Sequence, residues 1–129
     1  MSSDFPQMQV VITGLAGDDL STDQFRAVKH STTADANNTF IGTTAQGERV
    51  HAVCLDEPTT GAQGRFCLFG PTKARFGAAV AVGAQVTPQA DGDFELAASG
   101  DFIAGFALET GADGRISRIF FNPAGASVP

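Results

Sequence analysis

The 129-residue sequence predicts an all-β fold, a small β-barrel or sandwich-like domain with long loops and at most one or two short helical turns. Three observations predict it. Fifteen glycines and six prolines punctuate the chain, about every eight to twelve residues, which is typical of short strands joined by turns. The runs between them are rich in β-branched and aromatic residues. All eleven aromatics are phenylalanines, and we expect most of them to fill a core, with Phe5 and Phe76 as exceptions.

Nine runs of apolar and β-branched residues are candidate strands. In chain order they are residues 9–12, 25–30, 39–41, 50–55, 65–69, 85–87, 94–96, 102–108 and 116–121. In the last run, Ile116, Arg118 and Phe120 face one side and the residues between them face the other. Both faces are then partly apolar, as in a strand that is packed on two sides.

Turn signals connect some of these runs. Asp113-Gly114 and Asp91-Gly92 predict hairpins, because both residue types tolerate the positive φ of a tight turn. Ser21 and Gln24 have the spacing of a capping box, which predicts a single helical turn feeding a strand. Residues 78–83 are either one helical turn ending at Gly83 or a loop.

The two ends of the chain are predicted to lie outside a β-rich domain of residues 21–121. Residues 122–129 form a C-terminal tail of small residues and prolines. Residues 1–20 form an N-terminal arm, since one short apolar patch is followed there by glycines and aspartates.

The apolar patch of the arm is the candidate partner-binding site. Its members are Phe5, Met8, Val10, Val11 and Ile12. A patch of this kind outside a domain indicates an interaction surface, and its strand-forming composition favours adding a strand to the edge of a neighbour. The alternative is that the run pairs within its own domain as a first strand.

Charge and composition exclude several classes of partner. Eight basic and fourteen acidic side chains give a net charge of −6, so we expect no nucleic acid partner and no membrane partner. The sequence has no apolar stretch long enough to span a bilayer and no signal peptide, and we expect synthesis in the cytoplasm. Cys54 and Cys67 have apolar neighbours and are expected to be reduced, buried and unreactive.

The sequence does not contain the residue pattern of a known catalytic or cofactor site. It has no nucleophile elbow, phosphate-binding loop, dinucleotide fingerprint or zinc-protease motif, so we expect no enzyme activity, no cofactor and no metal. His30 and His51 are expected to be partly exposed strand or loop residues. The carboxylates of two clusters lack the spacing of a calcium loop and are expected to serve turns: Asp18, Asp19, Asp23, Asp91 and Asp93.

A set of motifs occurs in a fixed order along about four fifths of the chain. They are Asp19-Leu20-Ser21 leading to Val28-Lys29, residues 50–55, residues 65–70, Val82-Gly83 with Val86-Thr87, Ala90-Asp91-Gly92, residues 103–109 and residues 116–119. In this order the chain resembles the bacteriophage capsid decoration (cement, or head-stabilisation) proteins. Ala52 departs from the glycine that relatives often have, and the first twenty residues match no part of the family pattern.

The resemblance implies a non-enzymatic protein of the virion. Such a protein is made in the host cytoplasm, binds the outer surface of the assembled head and stabilises it by bridging subunits of the major capsid protein. It also implies a homotrimer at three-fold or quasi-three-fold positions. The alternative is a phage or secreted β-module that binds a glycan or protein on a host surface, although the lack of Trp and Tyr counts against sugar stacking.

Overall fold

The computed structural model describes residues 9–33 and 37–129. It confirms the all-β prediction, and each of the nine candidate runs contributes one strand. The strands are β1 (Val10–Ala16), β2 (Ala27–His30), β3 (Thr39–Gly42), β4 (Ala52–Cys54), β5 (Gln63–Arg75), β6 (Gln85–Pro88), β7 (Phe94–Leu96), β8 (Gly105–Ala107) and β9 (Ile116–Phe121). Within the described residues, no helix has the length and apolarity needed to cross a membrane.

The first five strands close into a small barrel. β1 pairs in parallel with β3 and antiparallel with β5, β2 pairs with β3 and β4, and β4 pairs with β5. Because each strand has two neighbours, the ring has no open edge among these pairings. The barrel interior is filled by Ala16, Leu20, Val28, Phe40, Ala52, Cys54 and Phe66. Phe40 and Phe66 stack there, with ring centroids 4.4 Å apart.

A second, antiparallel sheet packs against the outside of the barrel. Its order is β5–β9–β8–β6–β7, so β5 belongs to both layers. The partners of β5 change from β1 and β4 to β9 at Gly70, whose φ of 108° favours glycine. A second apolar core lies between the layers, and it includes Val53 and Cys67 from the barrel wall and Phe76, Phe94 and Phe121 from the sheet.

The structure places the described part of the predicted arm inside the domain. β1 is a wall strand of the barrel, and Leu20 is fully buried. The open alternative, a first strand within its own domain, is therefore what the structure shows for Val10–Ala16. The physical reason is that Gly14 allows close packing, since a Cβ there would lie 2.8 Å from the Asn38 carbonyl oxygen. Phe5 and Met8 lie outside the described residues.

The predicted tail also differs from expectation, because it is bound along residues 100–104. The amide of Ile103 donates to the Ala126 carbonyl, and that of Val128 donates to the Asp101 carbonyl, both at 2.9 Å. These hydrogen bonds satisfy backbone groups of both segments.

The prediction that Phe76 lies outside the core is wrong, because its side chain is fully buried. It packs against Gly111, where any side chain would collide with its ring. Residues 78–83 form a loop with an isolated bridge between Val80 and Gly111.

The local turn predictions have mixed outcomes. The Asp91-Gly92 hairpin between β6 and β7 is confirmed, with Gly92 at a φ of 92°. β8 and β9 pair as predicted, but only Gly114 of the Asp113-Gly114 step has a positive φ. The capping box does not form: the Ser21 amide donates to Asp19, and the Gln24 side chain donates to the Leu55 carbonyl. Residues 21–25 form turns that lead into β2.

Candidate interaction surface

The outer face of the β5–β9 pair carries exposed aromatic side chains and basic side chains. Directly opposed residues of neighbouring strands point to the same side of a sheet. Pro71 opposes Phe120 and Lys73 opposes Arg118, so these four side chains share one face. Phe106 of β8 opposes Phe120 on its other side and continues the face.

Three phenylalanines form a row on this face, which we call the aromatic strip, with Phe69 and Phe106 exposed and Phe120 half-buried between them. Phe69 contacts Phe120 edge to face at 5.3 Å, and Phe120 stacks on Phe106 at 5.5 Å between centroids. Phe69 is 40% exposed and Phe106 is 41% exposed. Large aromatic rings aligned in contact and left open to water mark an interaction surface.

One residue predicted from the sequence lies next to the aromatic strip. Val10 is the strand partner of Phe69 and is 50% exposed, whereas Val11, which is 39% exposed, is the partner of Cys67. A bulge between them changes the register. Ile12 packs instead against the barrel core. The structure therefore joins Val10 to the strip and separates it from Ile12.

A concave groove adjoins the aromatic strip, and we call it the basic groove. One cavity of about 300 Å³ is lined by Arg65, Lys73 and Arg118 together with Phe25. A neighbouring cavity of about 340 Å³ shares Phe25, Lys73 and Arg118 and adds Glu109.

The cations of the basic groove differ in how they are neutralised. Arg65 donates to Asp56 at 2.8 Å, and this contact raises the pKa of Arg65 and lowers that of Asp56. Lys73 and Arg118 make no ion pair with any residue that the structure describes. The Lys73 ammonium lies 5.7 Å from the centroid of the Phe25 ring.

The backbone of Phe25 is unusual. Its φ is 65°, in the left-handed region that a bulky L-residue rarely adopts. Its amide donates to the Cys54 carbonyl at 2.6 Å and its carbonyl accepts from Arg75 at 2.9 Å. These hydrogen bonds hold the residue between β4 and β5, with its ring in the groove.

The other polar residues that the sequence singled out serve the fold. Asp19 accepts from the Ser21 amide and Asp91 from the Asp93 amide, which is the turn role expected for both. His51 accepts from the His30 amide at 3.0 Å. The Nδ1 atom of His30 lies 2.8 Å from the Ser31 carbonyl oxygen.

Asp93 is buried, and its Oδ1 atom accepts a hydrogen bond from Arg26 Nε at 2.7 Å. Burial opposes the charge of Arg26, but hydrogen bonds to Asp93 and Asp23 outweigh it and raise the Arg26 pKa.

Sequence reasoning missed both the aromatic strip and the basic groove. The alternation of Arg118 and Phe120 on β9 was visible, but their partners on β5 were not. The candidate strand ended at residue 69, because Gly70-Pro71 has the composition of a turn. The pairing of Lys73 with Arg118 follows only from the continuation of β5 to Arg75.

The fold has a counterpart among solved structures. The crystal structure of the N base of head fiber gp8.5 in bacteriophage phi29 is similar to this chain with a TM-score of 0.69 and 17% sequence identity. The similarity covers 90% of this chain and 96% of that one. The sequence matches no protein-family model and no curated protein. The resemblance to a phage head protein is therefore one of fold.

Proposed function

We propose that this protein is a non-enzymatic bacteriophage capsid decoration protein. It binds the outer surface of the assembled head, where it stabilises the shell by bridging subunits of the major capsid protein. The observation that carries the proposal is the likeness in fold to the base of a head fiber, which extends over nine tenths of this chain. The order of sequence motifs supports the same class of protein independently.

The aromatic strip is the capsid contact in this proposal. Phe69 and Phe106 keep well over a third of their surface in water, and burying such rings against a partner is a main source of binding free energy. Each contact is small, but contacts repeated over a symmetric lattice add up through multivalency. Binding only to the assembled shell then stabilises that state by mass action.

The protein acts as a homotrimer at three-fold or quasi-three-fold positions of the virion surface, after synthesis in the host cytoplasm. Phe5, Met8, Val10 and Val11 extend the contact in this proposal, because Val10 is the strand partner of Phe69. Averaging of decorated particles would show trimers on three-fold axes, whereas single copies away from every such axis would contradict the trimer.

Co-sedimentation with undecorated, expanded heads tests the proposal. We expect the wild-type protein to bind, and a variant with Phe69→Ser and Phe106→Ser to bind at least ten-fold more weakly. The matched control is Val82→Ser with Leu96→Ser, which changes two apolar residues of even greater exposure outside the strip. Failure of the wild-type protein to bind heads overturns the function. Equal binding by all three proteins removes the strip from the contact.

Deletion of residues 1–8 tests the N-terminal part of the contact. The deletion leaves β1 and its pairing with β5 in place, so we expect the protein to melt cooperatively but to bind heads more weakly. Unchanged head binding would exclude Phe5 and Met8 from the contact.

A further inference from the structure

The basic groove concentrates positive charge on a protein that is otherwise acidic. Four of the eight basic side chains have a carboxylate partner in the structure: Arg26, Lys29, Arg65 and Arg75. The other four are Arg49, Lys73, Arg115 and Arg118. Two of these four, Lys73 and Arg118, lie side by side in one concavity.

The two cations of the groove face each other across neighbouring strands. Lys73 and Arg118 are directly opposed on neighbouring strands, and like charges in that arrangement repel each other. Fourteen acidic residues are present in the chain, yet the side chain of neither cation reaches a carboxylate within the described residues. An external anion would relieve the repulsion.

Phe25 gives the groove a fixed shape. Its left-handed backbone is the kind of strain that is kept where a site needs a side chain in one place. Its ring lines both cavities and lies beside the Lys73 ammonium, so a chain segment in the groove would contact an apolar surface next to the two cations. This combination fits a peptide that carries carboxylates close to an apolar residue.

We propose that the basic groove binds an acidic segment of the major capsid protein, with Lys73 and Arg118 each contacting a carboxylate. The identity of the partner rests on the proposed function. Charge complementarity favours a short acidic peptide over nucleic acid, because the groove offers few cations, Glu109 stands at its rim, and the whole protein is negative. The groove adjoins the aromatic strip, so one partner can contact both.

The experiment compares two variants of the full chain that lower the net charge by the same amount. One has Lys73→Glu with Arg118→Glu in the groove, and the control has Arg49→Glu with Arg115→Glu elsewhere on the surface. All four side chains are exposed, and thermal melting confirms that both variants fold. We expect the groove variant to bind undecorated heads at least ten-fold more weakly than the control, with a reduced dependence on salt.

A second measurement tests binding in the basic groove independently of the proposed function. Hexaglutamate is titrated into the isotope-labelled protein, and we expect amide shifts at Phe25, Lys73 and Arg118 that the groove variant lacks. If the wild-type protein does not bind heads but binds hexaglutamate, the decoration function and the capsid partner fail, while the groove stands as a site for an acidic peptide. Equal head binding by the groove and control variants, or tighter binding of a short DNA oligonucleotide than of hexaglutamate, overturns the groove proposal.

Discussion

At Phe25, a backbone conformation and a side chain can be tested separately. Replacement by alanine removes the ring but keeps a Cβ in the left-handed region, whereas glycine removes both. The left-handed region costs an L-residue about 1–2 kcal/mol, which glycine avoids. Glycine also loses more conformational entropy than alanine when the chain folds, and this offsets part of the gain. We therefore expect Phe25→Gly to be about 1 kcal/mol more stable than Phe25→Ala. Urea unfolding measures the difference. An alanine variant that matches or exceeds the glycine variant would show that the backbone is unstrained.

His51 is expected to make stability depend on pH near neutrality. Burial lowers its pKa from 6.5, and the nearby charges of Arg49, His30 and Lys29 lower it further. A depressed pKa in the folded state means that the unfolded chain takes up the proton first. Stability is therefore full above pH 6.5 and falls as the pH drops from there towards the lowered value.

The His51→Gln variant removes this titration. We expect the free energy of unfolding of the wild-type protein to decline more steeply than that of the variant between about pH 7 and 5.5. The carboxylates with lowered pKa values, Asp19, Glu48 and Asp56, act only below this window, because their ordinary values are 3.8 to 4.5. Parallel slopes for the two proteins would exclude His51 as the cause.

Among the elements, the β8–β9 pair depends on one glycine. Gly105 has a φ of 155°, and a Cβ there would collide with the backbone carbonyl of Phe120. We expect Gly105→Ala to cost about 3 kcal/mol or more, because neither strand can move without disturbing the second sheet. Gly100→Ala is the control, since its φ is 87° but its Cβ would meet open space. We expect Gly100→Ala to lower the free energy of unfolding, measured with denaturant, by only about 1 kcal/mol. Equal losses of stability in the two variants would mean that the structure relieves the collision at residue 105.

The elements also show what the sequence could and could not predict. Short runs such as 94–96 and 116–121 were recognisable, because alternation and turn residues are local signals. The parallel pairing of β1 with β3 was not, since it depends on Gly14 approaching a segment more than twenty residues away. The length of β5 was hidden by Gly70-Pro71, which forms a bend inside the strand rather than its end. Of the residues that the sequence singled out, only Val10 lies beside the candidate surface, and the aromatic strip itself was not predicted.

At the scale of the whole molecule, the two cysteines report on different cores. Both are free and buried, as expected from their apolar neighbours. Cys54 lies in the barrel interior and Cys67 between the barrel and the second sheet. Burial raises the pKa of both thiols, to about 11 for Cys54, so we expect neither to react while the protein is folded.

Thiol labelling in the native state measures whether the layers unfold together. Since β5 contributes to both cores, we expect Cys54 and Cys67 to be labelled at the same slow rate, which follows global unfolding as denaturant is added. Mass spectrometry of the labelled peptides gives each rate separately. Faster labelling of Cys67 than of Cys54 would show that the sheet separates from an intact barrel.

The continuity of β5 has a mechanical consequence. Lys73 and Pro71 on the outer face belong to the same uninterrupted strand as Phe66 in the barrel wall. A pull on that face is carried along the covalent backbone into the barrel, where β5 is held by hydrogen bonds to β1 on one side and β4 on the other. A load directed along β5 would act in shear on the hydrogen bonds to both neighbours together. Force on the outer face would therefore pass through continuous backbone directly to the barrel.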